Sequence, residues 1–284
     1  MNHPFNCIAQ DISGAEGPCV DLENRIFMVE PNRERILEIQ PDGVKREHAN
    51  TGGIPAGLQC DQENNLWCAD MKLGIFRIAS DGKFFHEVAS YDGKPIRGCN
   101  DCYFDSQGNL YFTAPAGSNK DTPVGQLFCR LQDGKVVELD RGFYFCNGLA
   151  VNADDSRLAV AETFTKLVWL YDIVEPGKII NRRKLCELTG ENCLGPDGMD
   201  FDIEGNLLVT NCYGGSIDVF TLDGKLVEKV KTPFAKVTNV HFLGPNSRML
   251  LVTECSAHGL WKTTWHTTGQ LQYCNLPAQA GRKK

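Results

Sequence analysis

Six positions in this chain stand ten or eleven residues ahead of a short apolar run: Glu16, Ala56, Asn100, Asn147, Asp197 and Asn239 precede runs starting at Ile26, Leu66, Leu110, Leu158, Leu207 and Leu250. Five of the six are carboxylates or amides. Side-chain oxygens brought to one place from separate parts of a chain suit a hard cation. Ca²⁺ takes six to eight oxygens in irregular geometry, where Mg²⁺ demands a near-ideal octahedron and Zn²⁺ prefers nitrogen and sulfur. The charges of Glu16 and Asp197 would neutralise a divalent ion, with the Asn100 and Asn147 amides as uncharged donors. The competing role for such residues is to cap strand ends and hydrogen-bond the backbone. Other chemistry has little support: the chain has no H-E-x-x-H, G-x-S-x-G or P-loop motif. Its histidines are scattered, although His241 follows Asn239 and Val240 at the sixth of these positions.

The elements that must position these side chains repeat. The apolar runs recur every 40 to 50 residues or so, the spacing of a β-propeller blade. Most follow an Asp/Asn-rich turn, as in Asp61-Gln62-Glu63-Asn64-Asn65, Asp105-Ser106-Gln107-Gly108-Asn109 and Asp202-Ile203-Glu204-Gly205-Asn206. Four are followed by a strand closed by Asp-Gly: Asp42-Gly43, Asp81-Gly82, Asp133-Gly134 and Asp223-Gly224. Both are hairpin signals. Four short strands per unit and six units predict an all-β fold, a six-bladed β-propeller whose four-stranded blades surround a central channel. Residues 1–284 form a single domain in this reading. Blade four departs, with Ala153–Arg157 at its turn and a longer Tyr171–Asn181 connection. The last unit runs through Leu260–Thr264 to Gln270–Asn275. Phe5–Ala9 is expected to return and close the ring, because an open one would leave unpaired edges. The tail Ala278–Lys284 is expected to fray.

Composition sets outer bounds. The chain has 284 residues, 42% of them hydrophobic, with 28 glycines and a net charge of −7. Acidity disfavours nucleic acid and permits cations. No apolar run approaches a membrane span, and no secretory signal is visible at Met1–Asp11. Thirteen cysteines, most inside strand-like runs, read as buried free thiols in a reducing cytoplasm. Cys99-Asn100-Asp101-Cys102 has C-x-x-C spacing but no second pair at zinc-site distance.

At these residues the sequence resembles the senescence-marker-protein/gluconolactonase (regucalcin-like) family, and most of all its diisopropylfluorophosphatase branch. The matching runs include Gly14–Pro18, Gly52–Gly57, Ala69–Met71, Gly98–Cys102, Thr113–Gly117, Val160–Thr163, Asp197–Phe201 and Val252–Glu254, and they span all six units. The resemblance implies two calcium ions. Glu16, Asn100, Asn147 and Asp197 match ligands of a catalytic one, and Asp200, the Val240 carbonyl and His241 those of a structural one. Gln59, Met71, Thr163 and Thr238 match substrate-pocket positions. The implied activity is calcium-dependent hydrolysis of organophosphorus, phosphofluoridate-type esters, with Asp197 as nucleophile or water-positioning ligand. A lactonase on the same site, or a non-catalytic binding propeller, are the alternatives. A monomer acting on a small molecule, with no nucleic-acid or membrane partner, is expected. Cys212 and Cys255 stand where the branch has a pocket tryptophan and histidine, and the loop after Gly117 is shorter. These departures alter the pocket wall more than the metal shell.

Overall fold

The computed structural model describes residues 3–277; the Ala278–Lys284 tail lies outside them. Six four-stranded antiparallel sheets stand around a common axis. Their first strands are Glu16–Val20, Pro55–Cys60, Cys102–Phe104, Cys146–Val151, Gly195–Phe201 and Val237–Phe242, and these touch one another in ring order, the sixth meeting the first. They form the channel wall. Asn6–Ala9 pairs antiparallel with Gly259–Thr264 as the outermost strand of blade six, so the two chain ends close the ring within one sheet, as expected. No helix of the described residues is long and apolar enough to cross a membrane.

The Asp/Asn turns fold as hairpins because their side chains do backbone work. Asp21, Asp61, Asp105 and Asp202 each accept the amide N–H groups two and four residues on, at 2.8–2.9 Å. This stapled turn holds the first two strands of a blade in register. In blade four Asn152 takes the place of that aspartate and accepts Arg157 N–H at 2.7 Å. The connection read as longer in blade four is strand instead: Leu167–Glu175 and Lys178–Glu187 run straight through it. Pro176-Gly177 make the turn, with Gly177 at φ 78°. Proline followed by a positive-φ glycine supplies a two-residue turn at low cost.

Buried apolar side chains cluster across blade boundaries. Phe27 and Ile36 of blade one pack with Leu58, Cys68 and Phe76 of blade two. Trp67 and Ile75 pack in turn with Phe112 and Phe128 of blade three. All thirteen cysteines are free; Cys7 is exposed, Cys255 partly so and the rest are buried. Inside these clusters a thiol packs as a small hydrophobe.

Gln270–Asn275 does not continue blade six, because Asn6–Ala9 already holds the fourth-strand place. The segment instead crosses the end of the channel where the first strands finish. Gln270 donates to the Val151 carbonyl and the Tyr103 hydroxyl, each at 2.7 Å. Gln272 donates to Tyr103 and to Asp200, each at 3.1 Å. Further along, Cys274 packs against the blade-one and blade-two cluster.

At the other end of the channel the first strands are irregular in a repeated way. Register shifts fall at Glu16/Cys19, Pro55/Gly57, Cys146/Leu149, Pro196/Met199 and Val237/Asn239, five of the six blades. A bulge leaves residues unpaired and re-aims their side chains. The next residue is often glycine, and the spacing shows why. A Cβ on Gly148 would lie 2.3 Å from the Asp197 carbonyl oxygen, and one on Gly198 2.1 Å from the Asn239 side chain. Neighbouring strands approach at Asn147 and Asp197 only because that Cβ is missing. Gly148→Ala is expected to destabilise the protein by about 1–3 kcal/mol. The check is the urea unfolding midpoint; an unchanged midpoint would mean the strands can part freely.

Candidate functional site

The bulged ends gather the residues singled out by spacing at one mouth of the channel. Glu16, Asn100 and Asp197 are half-buried there, and Asn147 is buried. Threonines fix the backbone beneath them. Thr113 of blade three donates to the Asn147 carbonyl at 2.7 Å, and Thr163 of blade four to the Pro196 carbonyl at 2.8 Å. Thr210 of blade five reaches the Thr238 carbonyl at 3.1 Å, and Thr238 the Ala15 carbonyl at 2.9 Å. Each hydroxyl therefore ties a blade to the next at the residue that presents, or adjoins, a mouth side chain.

The side chains themselves are partly spent and partly free. Asn147 Nδ2 donates to Thr163 Oγ1 at 3.1 Å, which leaves Oδ1 with no protein donor among the described residues. The Asn100 amide has no protein partner there either; only its backbone N–H is bonded, to the Thr113 carbonyl at 2.9 Å. The Asn147 amide and the Cys212 thiol lie beside the Asp197 carboxyl and favour its ionised form. Glu16 Oε2 accepts its neighbour Gly17 N–H at 3.1 Å and Asn239 Nδ2 at 3.5 Å. Cys255, the other altered wall position, donates to the Ala15 carbonyl at 3.5 Å. Met71 accepts the Gly98 N–H through its carbonyl at 2.7 Å, and Thr163 and Thr238 stand at the same mouth. Ala56, the one apolar member of the six, contributes no polar side chain.

A second group lies deeper. Gln59, Asp101, Tyr103, Asn239, Val240 and His241 line a cavity of about 10 Å³, room for one ion or water. The structure thus places Gln59 on the channel wall beside this cavity. Asp200 borders this region. Its Oδ1 accepts Tyr103 O–H at 3.0 Å and Phe201 N–H at 2.9 Å. Its Oδ2 has longer contacts: 3.4 Å from Phe242 N and 3.6 Å from His241 Nδ1.

Sequence spacing missed Asp101. It sits in the run that C-x-x-C spacing presents as a thiol pair, and both of those cysteines are buried and free. The signal was two successive polar residues, Asn100 and Asp101, ahead of a blade-three strand that starts only at Cys102. Asp101 accepts the Cys102 N–H at 2.9 Å.

Electrostatics sets this mouth apart from the rest of the molecule. Elsewhere some buried carboxylates have cationic partners, Asp21 with Arg25 and Glu30 with Arg35, each at 2.6 Å, and Asp218 with Lys229 at 2.9 Å, and others, such as Asp61, Asp105 and Glu254, are held by backbone N–H donors. Among the described residues no lysine or arginine pairs with Glu16, Asp101 or Asp197. Burial, and then the Asp197 charge, hold the Glu16 carboxyl well above its ordinary range. Burial and the Asp101 charge push Asp197 up to about 8, against the Asn147 amide and the Cys212 thiol. Asp101 is likewise pushed up to about 8, by burial first, with the Glu16 and Asp200 charges adding to it. Asp200 is raised and His241 lowered, each chiefly by burial. Carboxylates crowded without a counter-charge, beside amide oxygens without donors, fit a divalent cation by the chemistry of the donor set.

The profile described as the SMP-30/Gluconolactonase/LRE-like region matches residues 14–256. A diisopropyl-fluorophosphatase of Loligo vulgaris is 40% identical over 95% of this chain and 95% of its own. A pentonolactonase of Haloferax volcanii is 27% identical over 84% of this chain and 79% of its own. Among solved structures, a luciferin-regenerating enzyme superposes with a TM-score of 0.83 at 21% identity, over 96% of this chain and 99% of its own. That last likeness concerns the fold.

The crowded carboxylates make a prediction about stability. In the unfolded chain they ionise above about pH 4. In the folded cation-free protein Asp101 and Asp197 hold protons to about pH 8. Between these limits the folded state binds more protons, so stability falls as pH rises. The melting temperature in excess chelator is expected to drop from pH 5 to pH 8, and the drop to shrink in Asp101→Asn or with a saturating divalent cation. A chelated melting temperature that climbs with pH across this window would contradict the assignment.

Proposed function

The chain belongs to the SMP-30/gluconolactonase/LRE-like family, and from that premise we propose that it is a calcium-dependent hydrolase of organophosphorus esters of the phosphofluoridate type. The observation that carries this reading is the set of unpaired carboxylates and free amide oxygens at one channel mouth. Phosphorus is preferred over a lactone carbonyl because the squid diisopropyl-fluorophosphatase matches at 40% identity across nearly both whole chains, against 27% for the pentonolactonase.

Glu16, Asn100, Asn147 and Asp197 would hold the cation at the mouth. Calcium bound there would supply Lewis-acid polarisation of the phosphoryl oxygen. The chain's own residues do the rest. The Asn147 amide and the Cys212 thiol favour the ionised Asp197 carboxylate. That carboxylate then either forms the new bond to phosphorus, fluoride leaving with the electron pair of the P–F bond, or orients the attacking water. Glu16 would add the second negative charge holding the ion. Met71, Thr163 and Thr238 stand around the mouth as pocket wall. Asp200, the Val240 carbonyl and His241 would hold a second, structural ion beside the small internal cavity. We place the protein in the cytoplasm as a monomer, a setting that suits its free thiols.

A lactonase is the second reading, favoured by the pentonolactonase match and by the small Cys212 and Cys255 side chains at the two altered wall positions. Opening of a lactone would use the same polarisation at a carbonyl oxygen.

Fluoride release from a phosphofluoridate, measured beside a panel of lactones, separates the two. Chelator-sensitive fluoride release is expected; lactone turnover without it would favour the second reading, and neither activity would dismiss both. Asp197→Asn is expected to lower kcat by a factor on the order of 10² or more. Its melting temperature in chelator should hold or rise, because a buried carboxyl that must take up a proton on folding has gone. For Asp197 as nucleophile, with the aspartyl-phosphate opened by water at its carbonyl carbon, a single turnover in ¹⁸O-water should label the enzyme's carboxylate; label only in the phosphate product, together with no aspartyl-phosphate trapped on rapid quenching, would assign the attack to water. His241→Ala is expected to lower the calcium-dependent part of the melting temperature while kcat at saturating calcium stays within a few-fold of the parent. Unchanged melting would remove the structural ion.

A further inference from the structure

Away from the channel, where the closing strand meets blades five and six, two imidazoles and a carboxylate come together. His3 precedes the closing strand, Glu228 lies on the outer strand Leu226–Lys231 of blade five, and His266 follows the third strand of blade six. One ligand atom from each lies within 4.8 Å of the others, and all three residues are half-buried. The details are those of a metal clasp.

His3 Nδ1 stands 3.1 Å from the Thr264 carbonyl oxygen. A carbonyl only accepts, so Nδ1 carries the hydrogen and, in the neutral ring, Nε2 carries the lone pair. A metal-bound histidine is oriented in this way by a backbone carbonyl on its other nitrogen. His3 Nε2 faces Glu228 Oε1 at 3.4 Å, and His266 Nδ1 faces Glu228 Oε2 at 3.6 Å. A lone pair on His3 Nε2 facing a carboxylate needs a cation between them. A shared proton would draw nitrogen and oxygen to about 2.7–2.9 Å. Ligand atoms about 2.0–2.1 Å from a tetrahedral ion stand about 3.3–3.4 Å apart, close to each nitrogen's distance from its own Glu228 oxygen. His266 also comes near Asp202 and Glu204, but Asp202 is committed to the amides of Glu204 and Asn206.

We propose that His3, Glu228 and His266 bind a transition-metal cation of the zinc class, which clasps the closing strand to blades five and six. Two imidazoles and one carboxylate suit Zn²⁺ and its neighbours, where calcium asks for oxygen throughout. The ion stabilises ring closure and takes no part in turnover at the channel mouth.

The probe is Co²⁺, added alone to calcium-loaded protein carrying Cys7→Ser, which removes the exposed thiol. One equivalent is expected to give the intense visible bands of tetrahedral cobalt, and His266→Ala and His3→Gln each to abolish them. Zn²⁺ is expected to raise the melting temperature by about 5 °C in the parent and to leave either variant unmoved. Both variants sit at the surface end of the fold, and circular dichroism confirms folding before titration. Absence of the bands, or bands and a zinc shift that persist unchanged in both variants, would overturn the proposal.

Discussion

Negative charge held close without a protein counter-charge is the constraint on which this structure turns. Glu16, Asp101 and Asp197 come from blades one, three and five, and each raises the cost of ionising another. A fold selected for stability alone would have placed an arginine among them, as it does for Glu30 with Arg35. The arrangement survives because the cost is spread over a large, rigid ring. It is relieved when protons or a cation occupy the mouth.

The ring meets that constraint with irregularity confined to one end of each blade. Ideal strands would pair every residue and send alternate side chains to the two sheet faces. The bulges at Glu16, Asn147 and Asp197 break that alternation where the channel opens. Gly148 and Gly198 let the neighbouring strand approach, and the threonine bonds hold its backbone once there. At the opposite ends of the same strands the aspartate-stapled hairpins are regular. Rigidity and local distortion therefore sit within the same six strands, about 17–20 Å apart at most for strands of this length.

Much of this was legible in the chain. The repeat set the number of blades, and counting back from each apolar run reached Glu16, Asn100, Asn147 and Asp197, because the stapled turn fixes the length between channel mouth and second strand. Asp101 escaped because a shortened blade-three strand leaves two consecutive polar residues ahead of it, Asn100 at the mouth and Asp101 beneath, and a period can flag only one of them. Gln270–Asn275 was misread for another reason: its alternation resembles a strand, and only the closure by Asn6–Ala9 shows that no edge was left for it. Blade four's Pro176-Gly177 turn hid between two unusually long strands, Leu167–Glu175 and Lys178–Glu187. His3 and Glu228 meet across a separation of 225 positions, and no local pattern reaches that far.

Gln270 and Gln272 seal the far end of the channel against Tyr103, Val151 and Asp200. The bore is thus a cul-de-sac, with one doorway shared by everything that arrives and everything that departs. Traffic through such a doorway is sequential: an occupant must back out before its successor enters. Whatever lodges innermost, beside His241, is then the slowest to exchange with bulk solvent, shut in by any guest standing at the threshold.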